Sequence, residues 1–289
     1  MLSEQLLIDR SGNFTASENH RLMAGWDTTK PNTDFAEYDE LVAFMRPEFH
    51  KGVTKFLVGD LKDVFDFKVT GKMISDTLAA IKYEIPPTGL VTYAQEKAIE
   101  TLFDPDPSLQ FSTVHTANGE EREADCMYLL AEKTKLNFVN IGEQQVHIHT
   151  DQVGCTPDGV VLNELDLVET GAEVKCKSAL VHARNLLINN NQDMIEGAFD
   201  HFVQLQTPML ITGADHWYFA NYNPFAKKAS LMFKYIVIER DNDFIAILNE
   251  RLTLAKKIKA EFLNELLESV EEKPDTKTLS DQSKLSIEI

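Results

Sequence analysis

The stretch Gly154-Cys155-Thr156-Pro157-Asp158-Gly159, followed after an apolar and acidic interval by Glu173-Val174-Lys175-Cys176-Lys177, decides how this chain is read. Pro-Asp-Gly is a turn signal that presents one carboxylate. Alternation along an extended strand then puts Glu173 and Lys175 on one face and Val174 on the other. Two carboxylates beside an ammonium suit a hard divalent cation held against a phosphodiester, where the ion neutralises the pentacoordinate phosphorus centre and generates hydroxide. Asp158 and Glu173 are therefore candidate metal ligands, and the backbone carbonyl of Val174 is a further one. Lys175 is the candidate for orienting the attacking water or stabilising phosphate charge. A lysine base would need a lowered pKa, which nearby carboxylates oppose, so orientation is favoured over proton abstraction. Asp-Gly turns and Glu-X-Lys strands are each common. The signal lies in their order, with Pro157 ahead and a helix bearing Glu96 upstream.

Outward from this stretch, residues 160–162 and 172–176 read as strands bridged by a turn. Residues 179–187 and 194–212 follow as helices, and the second carries Gln204, a neutral amide able to hold the nucleophilic water or a phosphate oxygen without adding charge. Residues 216–221 and 233–239 are β-rich. Asp241 or Asn242 caps a long helix over 244–270, which Glu271-Glu272-Lys273-Pro274 stops. Upstream, residues 91–103 form a helix with Glu96 and Glu100 on one face. Segments 109–116, 125–131, 136–141 and 144–150 look like strands, with Asn118-Gly119 as a hairpin signal, and predict a curved, mainly antiparallel sheet. Residues 15–25 read as a short helix capped by Thr15 or Ser17. Residues 34–83 are mixed and mostly helical, and carry no functional signal.

The chain has 289 residues and is 43% hydrophobic, enough for one large domain over 1–270 with a helical N-terminal part. Residues 271–289 read as an acidic, disordered tail whose Leu285-Ser286-Ile287-Glu288-Ile289 end alternates like a docking strand. No run approaches the roughly 18 apolar residues of a membrane span, and Met1-Leu2-Ser3-Glu4 lacks the basic-then-apolar order of a signal peptide, so a cytoplasmic protein without a membrane partner is expected. Cys126, Cys155 and Cys176 are too few and too unevenly spaced for a disulfide framework or a zinc site. The net charge of −18 opposes a nucleic-acid partner at face value. Metal-holding carboxylates count in that sum, however, and Arg10, Arg21, Lys175, Lys177, Arg184, Lys227 and Lys228 remain as local cations.

At these residues the sequence resembles the phage lambda exonuclease family, the YqaJ-like viral recombinases within the PD-(D/E)XK nuclease superfamily. The matching blocks are Thr15-Ala16-Ser17-Glu18, the helix from Glu96 to Phe103, Thr156-Pro157-Asp158-Gly159, Glu173-Val174-Lys175-Cys176, Gln204-Leu205-Gln206, Trp217 to Pro224 and Val237 to Asp241. The resemblance implies an α/β, restriction-endonuclease-like core with a central mixed β-sheet flanked by helices. It implies a Mg²⁺-dependent exonuclease, with Mn²⁺ as a possible substitute, that digests one strand of linear double-stranded DNA from its 5′ end. Mononucleotides would be released and a 3′ single strand left for a single-strand annealing protein in phage-type recombination, with the enzyme a trimeric ring. Carried over by residue, Asp158 and Glu173 would bind metal, Lys175 would serve the nucleophile, Glu96 would complete a second metal position and Gln204 would be the downstream amide. Arg10, Ser17 and Thr156 would grip a terminal 5′-phosphate, a charge-assisted contact with two hydroxyls. Two departures stand out. The family's Trp-Gly pair ahead of the helix glutamate is replaced by Thr92-Tyr93-Ala94-Gln95, which leaves Glu100 as an alternative to Glu96, and residues 27–90 match nothing clearly. An endonuclease of the same superfamily would share the acids and lysine without needing the anchor. A non-catalytic DNA-end-binding module would need neither.

Overall fold

Apolar spacing and end caps set the elements of the computed structural model, which describes residues 10–27, 36–104 and 114–270. In chain order they are β1 (Phe14–Thr15), α1 (Ala36–His50), α2 (Val58–Leu61), α3 (Gly71–Glu84), α4 (Thr88–Ile99), α5 (Val114–Thr134), β2 (Ile148–Thr150), β3 (Val153–Cys155), β4 (Gly159–Leu162), β5 (Val168–Lys175), α6 (Ala179–Asn185), α7 (Asn191–Gly197), α8 (Phe199–Thr212), β6 (His216–Tyr222), β7 (Phe233–Glu239) and α9 (Asn242–Val270). The chain divides into two compact units, Ala24–Val91 and Met1–Met23 with Thr92–Ile289.

The smaller unit is helical, as the sequence predicts for 34–83. Thr70 caps α3 by accepting a hydrogen bond from the Met73 N–H at 3.2 Å. Leu41, Val42 and Met45 of α1 then pack with Met73, Ile74 and Ile81 of α3 in a core of its own.

The larger unit is built on two sheets. A four-stranded sheet runs β4-β5-β6-β7, with β5 and β6 parallel and the outer pairs antiparallel. One face of it takes α5, whose Cys126, Met127 and Leu130 pack on Ala172, Val174 and Ala220. The opposite face takes α8, which also reaches the second sheet. With both faces covered, β5 is buried from Thr170 through Val174, and only Thr170, whose hydroxyl donates to the His216 carbonyl, and Glu173 break its apolar run. The second sheet is small, in order β1-β3-β2, with β1 parallel to β3. Gly213, at φ +79°, closes α8 in the left-handed conformation that glycine adopts without strain. Asp241 caps α9 by accepting from the Phe244 N–H at 2.9 Å.

Several local expectations are overturned. Residues 136–141 form only the isolated bridge of Val139 with Val160, and the strand expected over 144–150 is confined to Ile148–Thr150. Residues 125–131 and the Asn118-Gly119 pair lie inside helix α5 rather than in a hairpin. Cys126, Met127 and Leu130 all face the sheet, a helical spacing, and good helix formers such as Glu, Ala and Leu surround them. The predicted mainly antiparallel sheet is consequently a mixed one. Residues 15–25 do not begin as a helix: Phe14–Thr15 is a strand, and a 3-10 turn follows at Asn19–Leu22. Pairing decides this, because Phe14 N–H donates to the Gln152 carbonyl and Ala16 N–H to that of Gly154, far along the chain. Residues 109–113 and the tail 271–289 lie outside the described residues.

Candidate active site

Where the two sheets approach, a cavity of about 250 Å³ opens, lined by Arg10, Ser17, Thr156, Asp158, Glu173 and Gln204 among others. Six of the residues singled out from sequence thus share one space. The link between β3 and β4 is only Thr156-Pro157-Asp158, so Asp158 stands at the start of β4 opposite the middle of β5. Its backbone N–H donates to the Ala172 carbonyl at 3.1 Å. Its side-chain Oδ2 accepts from the Val174 N–H at 2.7 Å, and Oδ1 accepts from Gln145 Nε2 at 3.1 Å.

On β5, Lys175 Nζ donates to Glu173 Oε1, and Gln204 Nε2 from α8 donates to the same oxygen at 2.7 Å. Strand alternation therefore places acid and ammonium together on the α8 face, as their spacing predicts. Burial pushes the Asp158 carboxyl well above the usual carboxylate range, and the charge of Glu173 adds to the shift. Burial alone would lower Lys175, but Glu173 and Asp158 outweigh it and keep the ammonium raised. A permanently charged lysine is suited to positioning an anion and unsuited to accepting a proton.

A divalent cation fits this donor set. A buried carboxylate whose proton affinity is raised further by a neighbouring carboxylate, as Asp158 is beside Glu173, is what a bound cation relieves. Among the described residues no three His, Cys, Asp or Glu side chains gather into a metal cage. Two carboxylates with room for water and phosphate oxygens match magnesium, which keeps much of its hydration, better than zinc or calcium.

Glu96 is not brought to the cavity. Both its oxygens are taken by Arg21, at 2.6 and 2.8 Å, an exposed pair that ties the 3-10 turn Asn19–Leu22 to α4 with the guanidinium over the Tyr93 ring. The Glu96 carboxyl is held below its usual range by that guanidinium. Glu100, the alternative, accepts from the Gly12 N–H at 2.9 Å and from Lys97 at 2.8 Å, and is committed to holding the N-terminal loop. Sequence reasoning missed Gln145, His147 and Trp217, all of which line the cavity. The only signal available for the first two was their position just upstream of the Asp-Gly turn, in a segment read as a plain strand.

A mixed sheet flanked by helices, with an acid at a turn and a Glu-X-Lys strand beside it, defines a restriction-endonuclease-like α/β core. Residues 71–215, half of the chain, match the model of the YqaJ-like viral recombinase domain. The chain belongs to that family. The uncharacterized protein ExoD of Escherichia coli (strain K12) is 42% identical over 50 residues, which are 17% of this chain and 55% of ExoD, so the chain spans about half the length of that relative. Among solved structures, the alkaline exonuclease LHK-Exo of Laribacter hongkongensis has the same fold, with a TM-score of 0.57 at 16% identity over 92% of this chain and 98% of that one. Its complex with dAMP gives a TM-score of 0.55 at 17% identity, over 91% and 94%. A phage-related exonuclease of Haemophilus somnus 129PT gives 0.50 at 15% identity, over 65% and 88%. No described helix is long and apolar enough to cross a membrane.

Proposed function

We propose that the protein is a Mg²⁺-dependent exonuclease acting on the 5′ ends of linear double-stranded DNA, one that releases mononucleotides and leaves 3′ single strands. The observation that carries this reading is that Arg10, Ser17 and Thr156 line the same cavity as Asp158, Glu173 and Gln204. An endonuclease would use the acids but has no need for an anion grip alongside them. Two exonucleases of like fold, the alkaline exonuclease LHK-Exo, solved also with dAMP, and a phage-related exonuclease, point the same way.

Asp158, Glu173 and the Val174 carbonyl would hold Mg²⁺, or Mn²⁺ in its place. When bound, the ion supplies a low-pKa water and neutralises charge on the phosphate. Gln145 and the Val174 N–H fix both oxygens of Asp158, so that carboxylate needs no reorganisation. Gln204 holds Glu173 with its N–H, which leaves its own carbonyl oxygen to orient the attacking water. Lys175 keeps its proton and stabilises charge on the scissile phosphate. Arg10, Ser17 and Thr156 hold the terminal phosphate as a pair of hydroxyls and a charge. Glu96 has no part in this set.

On this reading residues 1–270 work as one enzyme, cytoplasmic in the host cell, and its partners are duplex ends and a single-strand annealing protein. A trimeric ring around DNA would let a protein of net charge −18 stay on its substrate without a basic outer surface. The test is digestion of linear duplexes labelled at either end, with and without 5′-phosphate, in magnesium and in chelator. Labelled mononucleotide from the phosphorylated 5′ end, in magnesium alone, is expected. Nicking of supercoiled circles would refute the exonuclease reading.

A further inference from the structure

His147 is a buried ring in the cavity wall that the proposed chemistry does not use. Its Nδ1 lies 3.1 Å from Thr156 Oγ1. The space it fills is reserved by a neighbour: a Cβ on Gly154 would stand 2.2 Å from His147 Nε2, so only glycine at that point of β3 admits the ring. His149, at a ring-centroid distance of 5.7 Å and an interplanar angle of 23°, stacks along it and limits its rotation. The ring is thus wedged between strands with one nitrogen aimed at the hydroxyl that borders Asp158.

A threonine hydroxyl has one proton to give. If Thr156 donates it to an imidazole nitrogen, the hydroxyl can only accept, and an acceptor facing a phosphate repels it. If Nδ1 carries hydrogen and donates to Oγ1, the hydroxyl proton is free to turn into the cavity. Resting on the anchor reading above, we infer that His147 is a positioning residue which presents Thr156 as a donor to the terminal 5′-phosphate, and so sets the preference for phosphorylated over hydroxyl ends.

The experiment compares kcat/KM on linear duplexes with 5′-phosphate and with 5′-hydroxyl ends, for the unmodified protein and for His147→Phe, His147→Asn and Thr156→Val. Phenylalanine keeps the packed ring and removes the nitrogen, so the fold is retained. It is expected to cut the phosphate-to-hydroxyl ratio about tenfold, the size of one lost hydrogen bond, with the rate on hydroxyl ends unchanged. Asparagine, which can place an N–H where Nδ1 stands, is expected to restore the ratio to within about threefold. The double variant His147→Phe/Thr156→Val should lose no more than Thr156→Val alone, because one residue acts through the other. An unchanged ratio in His147→Phe, equal losses on both ends, additive losses in the double variant, or an asparagine that behaves like phenylalanine would each overturn the inference. A failure of the anchor reading is distinguishable, since the unmodified protein would then show no preference between the two ends.

Discussion

The two sheets of the larger unit bring opposite chemistry to one cavity. From the three-stranded side come Arg10, Ser17, His147 and Thr156, groups that donate hydrogen bonds or carry positive charge. From the four-stranded side come Asp158 and Glu173, with Lys175 tied to the second acid. The first half is suited to an anion as it stands, whereas the second becomes suited to one only when a cation screens it. This division is how a strongly acidic chain could hold a phosphate. Net charge is a sum over the molecule, and a site depends on the few groups within a Debye length, about 8 Å at physiological salt.

Removing the acidic half should have the largest effect. Lys175→Ala or Glu173→Ala should lower nucleotide release from phosphorylated linear duplex by about 10³-fold, because on the proposed reading the lysine meets the charge that develops on the phosphate and the glutamate holds the cation that screens it. Steady-state release with melting curves as a folding control measures this. A smaller change would mean that the chemistry is not centred on β5.

The same half leaves a mark on stability. Burial first, and then the charges of Lys175 and Lys177, push the His201 pKa down to about 4 from 6.5. Between those values the unfolded chain binds a proton that the folded one refuses. Stability from this residue is therefore complete above about pH 6.5 and drains as pH falls toward 4, by on the order of 3 kcal/mol. Urea denaturation of His201→Phe at pH 7 and 4.5 should show a correspondingly smaller acid loss than the unmodified protein.

The donor half should respond more mildly and only to phosphate. Arg10→Ala should cut the preference for 5′-phosphorylated over 5′-hydroxyl ends about thirtyfold in kcat/KM, the worth of a charge-assisted contact, and leave hydroxyl ends nearly unchanged. Equal losses on both ends would place Arg10 with the general DNA contacts. The smallest effect belongs outside both halves. Glu96→Gln breaks an exposed pair with Arg21 and should cost less than about 1 kcal/mol in denaturant, with cleavage within about twofold. A collapse of cleavage would return Glu96 to the metal site.

What the sequence made legible follows the range of the interactions. The Asp158 turn, the Glu173-Val174-Lys175 alternation and the capped helix α9 are local patterns, and each is found in the structure where the spacing puts it. Helix α5 was misread because Asn118-Gly119 is a strong short-range turn signal, while the helical face of Cys126, Met127 and Leu130 has meaning only once a sheet is there to receive it. Strand β1 was invisible for the same reason: two residues make a strand only by pairing with Val153 and Gly154, some 140 positions away. The cavity combined both kinds of information. Its acids were readable from spacing, but Gln145 and His147 join it through tertiary placement, and Arg21 draws Glu96 into an ion pair away from it.

The connection between the sheets is three residues long, and Thr156 and Asp158 sit at its two ends. Fully extended, that separation cannot exceed about 7 Å. On the proposed reading, the phosphate that Thr156 would grip and the bond that Asp158 would help to cut are held a fixed stride apart, with Pro157 stiffening the span. A backbone segment of this kind works as a ruler: the product length would be set by the chain itself at one nucleotide per advance, and an insertion between Thr156 and Asp158 would change the step.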